Sequence, residues 1–352
     1  MNGEMLDRIV NAVLYEGYML YPYRPSALKN AQRFNFGVIY PRAYAEAQGS
    51  GDAWAMQTEC LLQGKANAEC AVRVRFLRMV SRSILKPRAS SGERRREQGD
   101  FEFVDRLEVA ARTYQPWQEA AEETIEVAPF EVYASTAQPT RWSFSFSPWR
   151  KTETVRDRFE AICGLIQWDT RVISGTIELS AERLQSDLFK VKVRIINDSK
   201  IDGNGMRREA ALEQSLVSAH TIMVVRGGEF LSLADPPDAY RTLAVSCQNV
   251  GTWPVLVGTP GDRDTLLSSP IILSDYPEVA PESPGDLFDG AEMDEILSLR
   301  ILTMTDEEKR EMAQSDARAR QILERTEHLS AEHWMKLHGA WRGLRAIKGN
   351  TP

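Results

Sequence analysis

The sequence predicts a mainly β protein of the α+β kind: an antiparallel, β-sandwich-like body with an N-terminal amphipathic helix and a helical C-terminal tail. Two observations carry that expectation. Period-two alternation of apolar and polar residues recurs in short runs through the middle of the chain, separated by turn residues, as antiparallel sheets require. The apolar spacing of three and four that marks helices is confined to the two ends. Three regions follow: 1–148 as a helix plus a β-rich region, 149–288 as a second β-rich, sandwich-like region, and 289–345 as the helical tail.

Residues 3–20 read as the amphipathic helix. Leu6, Ile9, Val10, Val13 and Leu14 share one face, with Asp7, Arg8 and Asn11 opposite. Asn2 can cap it and Glu4 complements its dipole. Pro22 and Pro25 forbid its continuation, and a short strand is expected over 34–40. Cys70, Val72, Val74 and Phe76 then alternate with Ala71, Arg73 and Arg75, a strand with one wet face. Strands are likewise expected around Phe101–Phe103 and Leu107–Val109, at Trp142, Phe144 and Phe146 between serines, at Ile177 and Leu179, and at Val191, Val193 and Ile195. Further strands are expected over 221–225, 229–233, 243–247, 254–257 and 271–273.

Two interruptions break this pattern. Residues 86–100, KPRASSGERRREQGD, are polar and basic without apolar periodicity, and read as a mobile hairpin extension with Arg94, Arg95 and Arg96 at a solvated tip. Residues 201–214 read as an exposed loop entering a short helix. In the tail, Asp289 with Glu292 and Thr305 with Glu308 have capping-box spacing, and Ser330 can cap a last helix.

At 352 residues the chain can bury a large core, and 43% apolar with 26% charged residues is ordinary globular composition. A net charge of −7 argues against a general nucleic-acid binder, which needs a basic face. No run reaches bilayer length and no signal-peptide pattern opens the chain, so a cytoplasmic protein without membrane association is expected. Four cysteines, at 60, 70, 163 and 247, fit buried reduced thiols.

The chemistry of catalysis is sparse. His328, His333 and His338 are five apart, which turns each about 140° from the last on a helix, so they share no face. There is no CxxC, HExxH, GxSxG or P-loop. Gly227-Gly228 reads as a turn entering a strand. No cofactor is expected, and an enzymatic role is left open but disfavoured. Between Asp275 and Glu295 lie eight carboxylates and three prolines with no Lys or Arg. Asp275, Glu282, Asp286 and Asp289 are weak candidates for a hard-cation site, since oxygen ligands suit Mg²⁺ or Ca²⁺, but their spacing matches no EF-hand loop.

The run 21–42, YPYRPSALKNAQRFNFGVIYPR, concentrates aromatic residues and arginines. Such side chains combine large contact area with a polar handle, which suits a buried anchor or an interface hot spot. Two roles stay open. The run pins the first helix onto the β body, or it presents Tyr21, Tyr23, Arg24, Arg33 and Arg42 to a partner, with Asp286 and Asp289 as a second contact patch.

Three stretches, VLYEGYMLYPYRPSALKN (13–30), CQNVGTWPVLVG (247–258) and SPIILSDYPEVAPESPGDLFDGAEMDEILSLRILTMTDEEK (269–309), resemble a family encoded among the genes of bacterial nickel–iron hydrogenases, especially the high-affinity, actinobacterial type. The resemblance implies a non-enzymatic accessory or assembly factor whose partner is a hydrogenase subunit or maturation protein. It supplies no catalytic residues. The alternatives are a metal-dependent enzyme using the acidic segment 275–295 and a structural scaffold protein.

Overall fold

The computed structural model describes residues 3–15, 36–49, 51–88, 100–110, 112–136, 139–278, 298–315 and 317–330. Its organising element is β1 (Ala55–Pro87), a strand of 33 residues where most strands have three to ten. The strands that follow are β2 (Phe101–Val104), β3 (Leu107–Val109), β4 (Arg112–Tyr114), β5 (Trp117–Glu131), β6 (Thr140–Phe146) and β7 (Arg150–Arg156). Then come β8 (Ile162–Asp169), β9 (Ile173–Arg183), β10 (Leu188–Asn197), β11 (Val217–Leu231), β12 (Trp253–Leu256) and β13 (Thr265–Ser269). The helices are α1 (Gly3–Leu14), α2 (Arg42–Gln48), α3 (Arg208–Leu212), α4 (Arg241–Val245), α5 (Asp306–Ser315) and α6 (Ala317–Glu327).

Eleven of these strands form one antiparallel sheet, and β3 pairs only with β4. On one side of β1, β10 pairs with residues 55–63, β5 with 69–82 and β2 with 84–87. On the other side β11 pairs with residues 61–77 and β8 with 81–85. Strands β9 and β6 extend the β10 arm, and β13 and β12 extend the β11 arm. The sheet therefore branches along its longest strand.

One core gathers Phe76 of β1, Phe130 of β5, Phe144 of β6, Ile177 of β9, Val193 of β10 and Met223 of β11. Strands from separate arms thus close over a single interior, and the sheet is curled into a half-barrel. The chain is mainly β and antiparallel, as expected. The sheet bends along β1. A register shift in β1 between Gly64 and Glu69 lets one strand pass from arm to arm while staying hydrogen-bonded, which is how bulges turn corners in sheets. The boundary expected at 148/149 is crossed by this sheet, because β6 before it pairs with β9 after it.

The bend has a glycine requirement. Residues 221–225 and 229–231 belong to one strand, β11, which runs through Gly227 and Gly228 where a turn was expected. Gly227 has φ of +74°, and a Cβ on Gly228 would lie 2.8 Å from the Gln63 carbonyl oxygen. Any side chain there would push β11 off β1.

Two further clusters cover the outer surface. Leu6, Ile9 and Val10 of α1 pack on Ile222 and Leu267, as the apolar stripe of that helix predicts. Leu77 and Met79 of β1 are covered by Met312, Ile322 and Leu323 of α5 and α6. The Thr305 capping box is present in full: the Thr305 amide donates to Glu308 Oε2 at 2.8 Å and the Glu308 amide to Thr305 Oγ1 at 3.3 Å.

Two expected strands are not formed, and a third is described only in part. Residues 241–245 are helical, and Tyr240, Leu243, Ala244 and Cys247 pack together on Leu61, a spacing of three and four that only a helix brings to one face. Residues 271–273 follow Pro270 as irregular chain. Of 34–40, the described part makes one bridge, Ile39 with Leu216. The short helix expected near 201–214 is α3. The expected basic tip at 94–96 and the capping pair Asp289 and Glu292 lie outside the described residues, as does the segment after Ser330.

Arg78 locks the bend from within. Its side chain is 2% exposed. One guanidinium nitrogen donates to the carbonyls of Ser147 at 2.8 Å and Arg171 at 2.6 Å, and the other to Glu123 at 3.2 Å. The turns after β6 and β8 are thereby tied to the middle of β1. A buried cation is tolerated only with such partners, and here both terminal nitrogens have them while Nε is left without one among the described residues.

Candidate functional site

Pro41 ends the irregular entry segment and opens α2, with φ of −55° and ψ of 132°, so that Arg42 is the first helical residue. The guanidinium of Arg42 lies 4.4 Å from the centroid of the Trp54 ring, and that of Arg194, from β10, lies 5.1 Å from it. Trp54 immediately precedes β1 and is half-buried. Its carbonyl accepts from the Asn197 amide at 3.1 Å. Two cations on one aromatic ring repel each other, and the ring's quadrupole and nearby carboxylates offset that. Glu46 accepts from Arg42 at 2.7 Å, and Glu178 lies 3.6 Å from Arg194 and 3.0 Å from Arg141. The Arg42 side chain remains 52% exposed, so one guanidinium face stays available to a partner.

The scaffold beneath this stack is rigid. Asn197 is fully buried and donates to the carbonyls of Ile39 at 2.9 Å and Gln214 at 2.8 Å. Arg208 donates to the Tyr40 hydroxyl at 2.9 Å and to Asp52 at 3.3 Å, and the Tyr40 and Tyr44 rings are 5.4 Å apart. Burial raises the pKa of both Tyr40 and Tyr44, so these phenols stay protonated. They are anchors here.

Of the 21–42 run, the described residues are 36–42. Ile39 and Tyr40 are buried against the body, whereas Arg42 points into the exposed stack. Tyr21, Tyr23, Arg24 and Arg33 lie outside the described residues, as do Glu282, Asp286 and Asp289. Asp275 is described, and its carboxylate is occupied: one oxygen accepts from the Leu256 amide at 2.8 Å and the other from the Ser232 hydroxyl. It ties β12 to the end of β11. Among the described residues no group of three or more His, Cys, Asp or Glu could hold a metal ion.

Three of the four thiols and the core histidine are held in inert forms. Burial pushes the Cys60 thiol up, that of Cys70 to about 12 and that of Cys247 to about 11. None is a thiolate near neutral pH, the form a nucleophile needs. His220 is fully buried, and burial lowers its pKa to about 4. Its Nδ1–H donates to the Ser218 carbonyl at 2.7 Å.

Sequence reading did not find Trp54 or Arg194, because residues 54 and 194 meet only through the pairing of β1 with β10. No described helix is long and apolar enough to cross a membrane. The chain matches no protein-family model, and no curated protein shows significant sequence similarity to it.

Proposed function

We propose that the protein is a non-enzymatic accessory factor for nickel–iron hydrogenase biogenesis, acting by binding a hydrogenase subunit or maturation protein. The observation that carries this reading is the Arg42–Trp54–Arg194 stack, a cation–aromatic surface mounted on a rigid body. Arginine and tryptophan dominate binding hot spots because they combine area with directional polar contact. The sequence likeness over 13–30, 247–258 and 269–309 supports the choice of partner. The proposed setting is the cytoplasm, where the four free cysteines would stay reduced. The two arms of the curled sheet are read as facing one another in sandwich fashion. A metal-dependent enzyme built on 275–295 is the weaker reading, since Asp275 already serves two protein donors.

Deletion of the gene is expected to lower hydrogenase activity with its transcript unchanged. The tagged protein is expected to retain a hydrogenase or maturation subunit, and Arg42→Glu with Arg194→Glu to weaken that binding by roughly thirtyfold, the scale of a hot-spot loss. Purification that retains neither class of subunit would falsify the reading.

A further inference from the structure

At the far end of β1 from Trp54, a cleft of about 540 Å³ opens between the β3–β4 hairpin, the outer sheet and the end of α5. Its apolar floor is formed by Ile84 and Ile166, which face each other across β1 and β8. Three guanidiniums line it, those of Arg82, Arg112 and Arg320, together with Tyr114, Trp168 and Glu153.

The three cations are not equivalent. Arg82 is structural: it donates to Glu119 at 3.1 Å, to the Gln115 carbonyl at 3.3 Å and to the Gln314 carbonyl at 3.2 Å. Glu119 also accepts from Trp168 Nε1 at 3.1 Å, which fixes the indole in the wall. Among the described residues Arg320 uses only Nε, donating to the Ala313 carbonyl at 2.9 Å, so no described group occupies its two terminal nitrogens. Arg112 is exposed, and its side chain makes no hydrogen bond or ion pair with the described residues. Against these two available guanidiniums stands one carboxylate without a described partner, Glu153.

We propose that this cleft binds a small organic monoanion, a carboxylate or sulfonate on an apolar body. A guanidinium fork matches a planar or trigonal oxyanion, and two of them can share one. The apolar floor and the aromatic walls favour a hydrophobic body over inorganic ions, the composition usual for small-molecule sites. Glu153 leaves a surplus of one positive charge, which disfavours polyanions. The volume falls within the ordinary range for such sites, roughly 300–1,000 Å³. This inference concerns the isolated protein and stands apart from any hydrogenase partner.

The probe is 8-anilinonaphthalene-1-sulfonate, titrated by fluorescence into the purified full chain. Saturable binding at one site is expected, displaced by phenylacetate and not by benzylamine. Arg112→Gln combined with Arg320→Gln is expected to weaken it about tenfold, the loss of charge-assisted hydrogen bonds. Glu153→Gln is expected to tighten it, and Arg241→Gln, an exposed arginine on α4 that belongs to neither the cleft nor the stack, to leave it unchanged. Both cleft arginines are exposed, so thermal unfolding should confirm a folded double variant. Unaltered binding in that double variant, equal loss in Arg241→Gln, or displacement by benzylamine as readily as by phenylacetate would each overturn the proposal.

Discussion

In its first two-thirds, β1 turns Met56, Cys60, Leu62, Val72, Val74 and Phe76 into the main core, each 3% exposed or less. Its last stretch, residues 81–87, is flanked chiefly by β2 and β8 instead and rests on a small cluster of Ile84, Val109, Val155 and Ile166. Around that end, Phe103 is 70% exposed and Phe159 73%. One continuous backbone therefore serves two purposes. Where neighbours cover both faces, the strand supplies stability; where cover thins, the same strand frames clefts and leaves aromatic side chains in solvent. Arg78 marks the changeover, because its side chain binds the turns after β6 and β8.

The sharpest way to break this comparison is at that junction. Arg78→Met removes the donor from the Ser147 and Arg171 carbonyls and strands Glu123, which is 24% exposed. Removing one partner of a buried pair typically costs about 3–5 kcal/mol, and that loss is expected in urea unfolding at neutral pH. A loss below about 1 kcal/mol would mean that the arms hold together without the clamp.

Acid should act on the covered part of the sheet next. His220 faces Arg75 across the β1–β11 pair, and Arg75 is itself held by Asn11 of α1 and by Glu122. With its folded pKa lowered from 6.5 to about 4, the imidazole is neutral in the native state and more readily protonated in the unfolded one. The unfolded chain binds the extra proton, so stability is complete above about pH 6.5 and falls as the pH drops toward 4. The shift corresponds to about 3 kcal/mol over that window. Because carboxylates titrate in the same range, the readout is the difference between the parent and His220→Gln. The parent's slope should be steeper between pH 6.5 and 4, and identical slopes would refute the assignment.

The same two regions explain what the sequence disclosed. Alternation revealed β6 and β10 because Phe144, Val191 and Val193 each sit on a strand with one apolar face. It revealed only the middle of β1. The segment from Gly64 to Ala68 interrupts the alternation at the bend, and the buried Arg78 breaks it again, so neither end looked continuous with the centre. Residues 243–245 of the run LAVSC (243–247) are helical where a strand is expected, because so short a largely apolar run fits strand or helix. The wider frame Tyr240, Leu243, Ala244 and Cys247 carries the helical spacing that decides it. The candidate sites were less legible still. Arg42 was visible as part of an arginine-rich run, but Trp54 and Arg194 join it only through strand pairing. The cleft arginines at 112 and 320 are 208 positions apart in the chain and are brought together by packing alone.

The smallest expected effect tests the comparison at its exposed end. Phe76→Ala, in the covered part, removes a fully buried ring and should cost about 3–5 kcal/mol. Phe103→Ala removes the same ring from β2, where it pairs with Leu85 in register but stands largely in solvent. Its cost should stay within about 0.5 kcal/mol. Chemical unfolding of both variants under one condition gives the contrast directly. A Phe103→Ala loss approaching that of Phe76→Ala would show that this end of the sheet is covered in solution, and the division of β1 into a stabilising part and a surface part would have to be withdrawn.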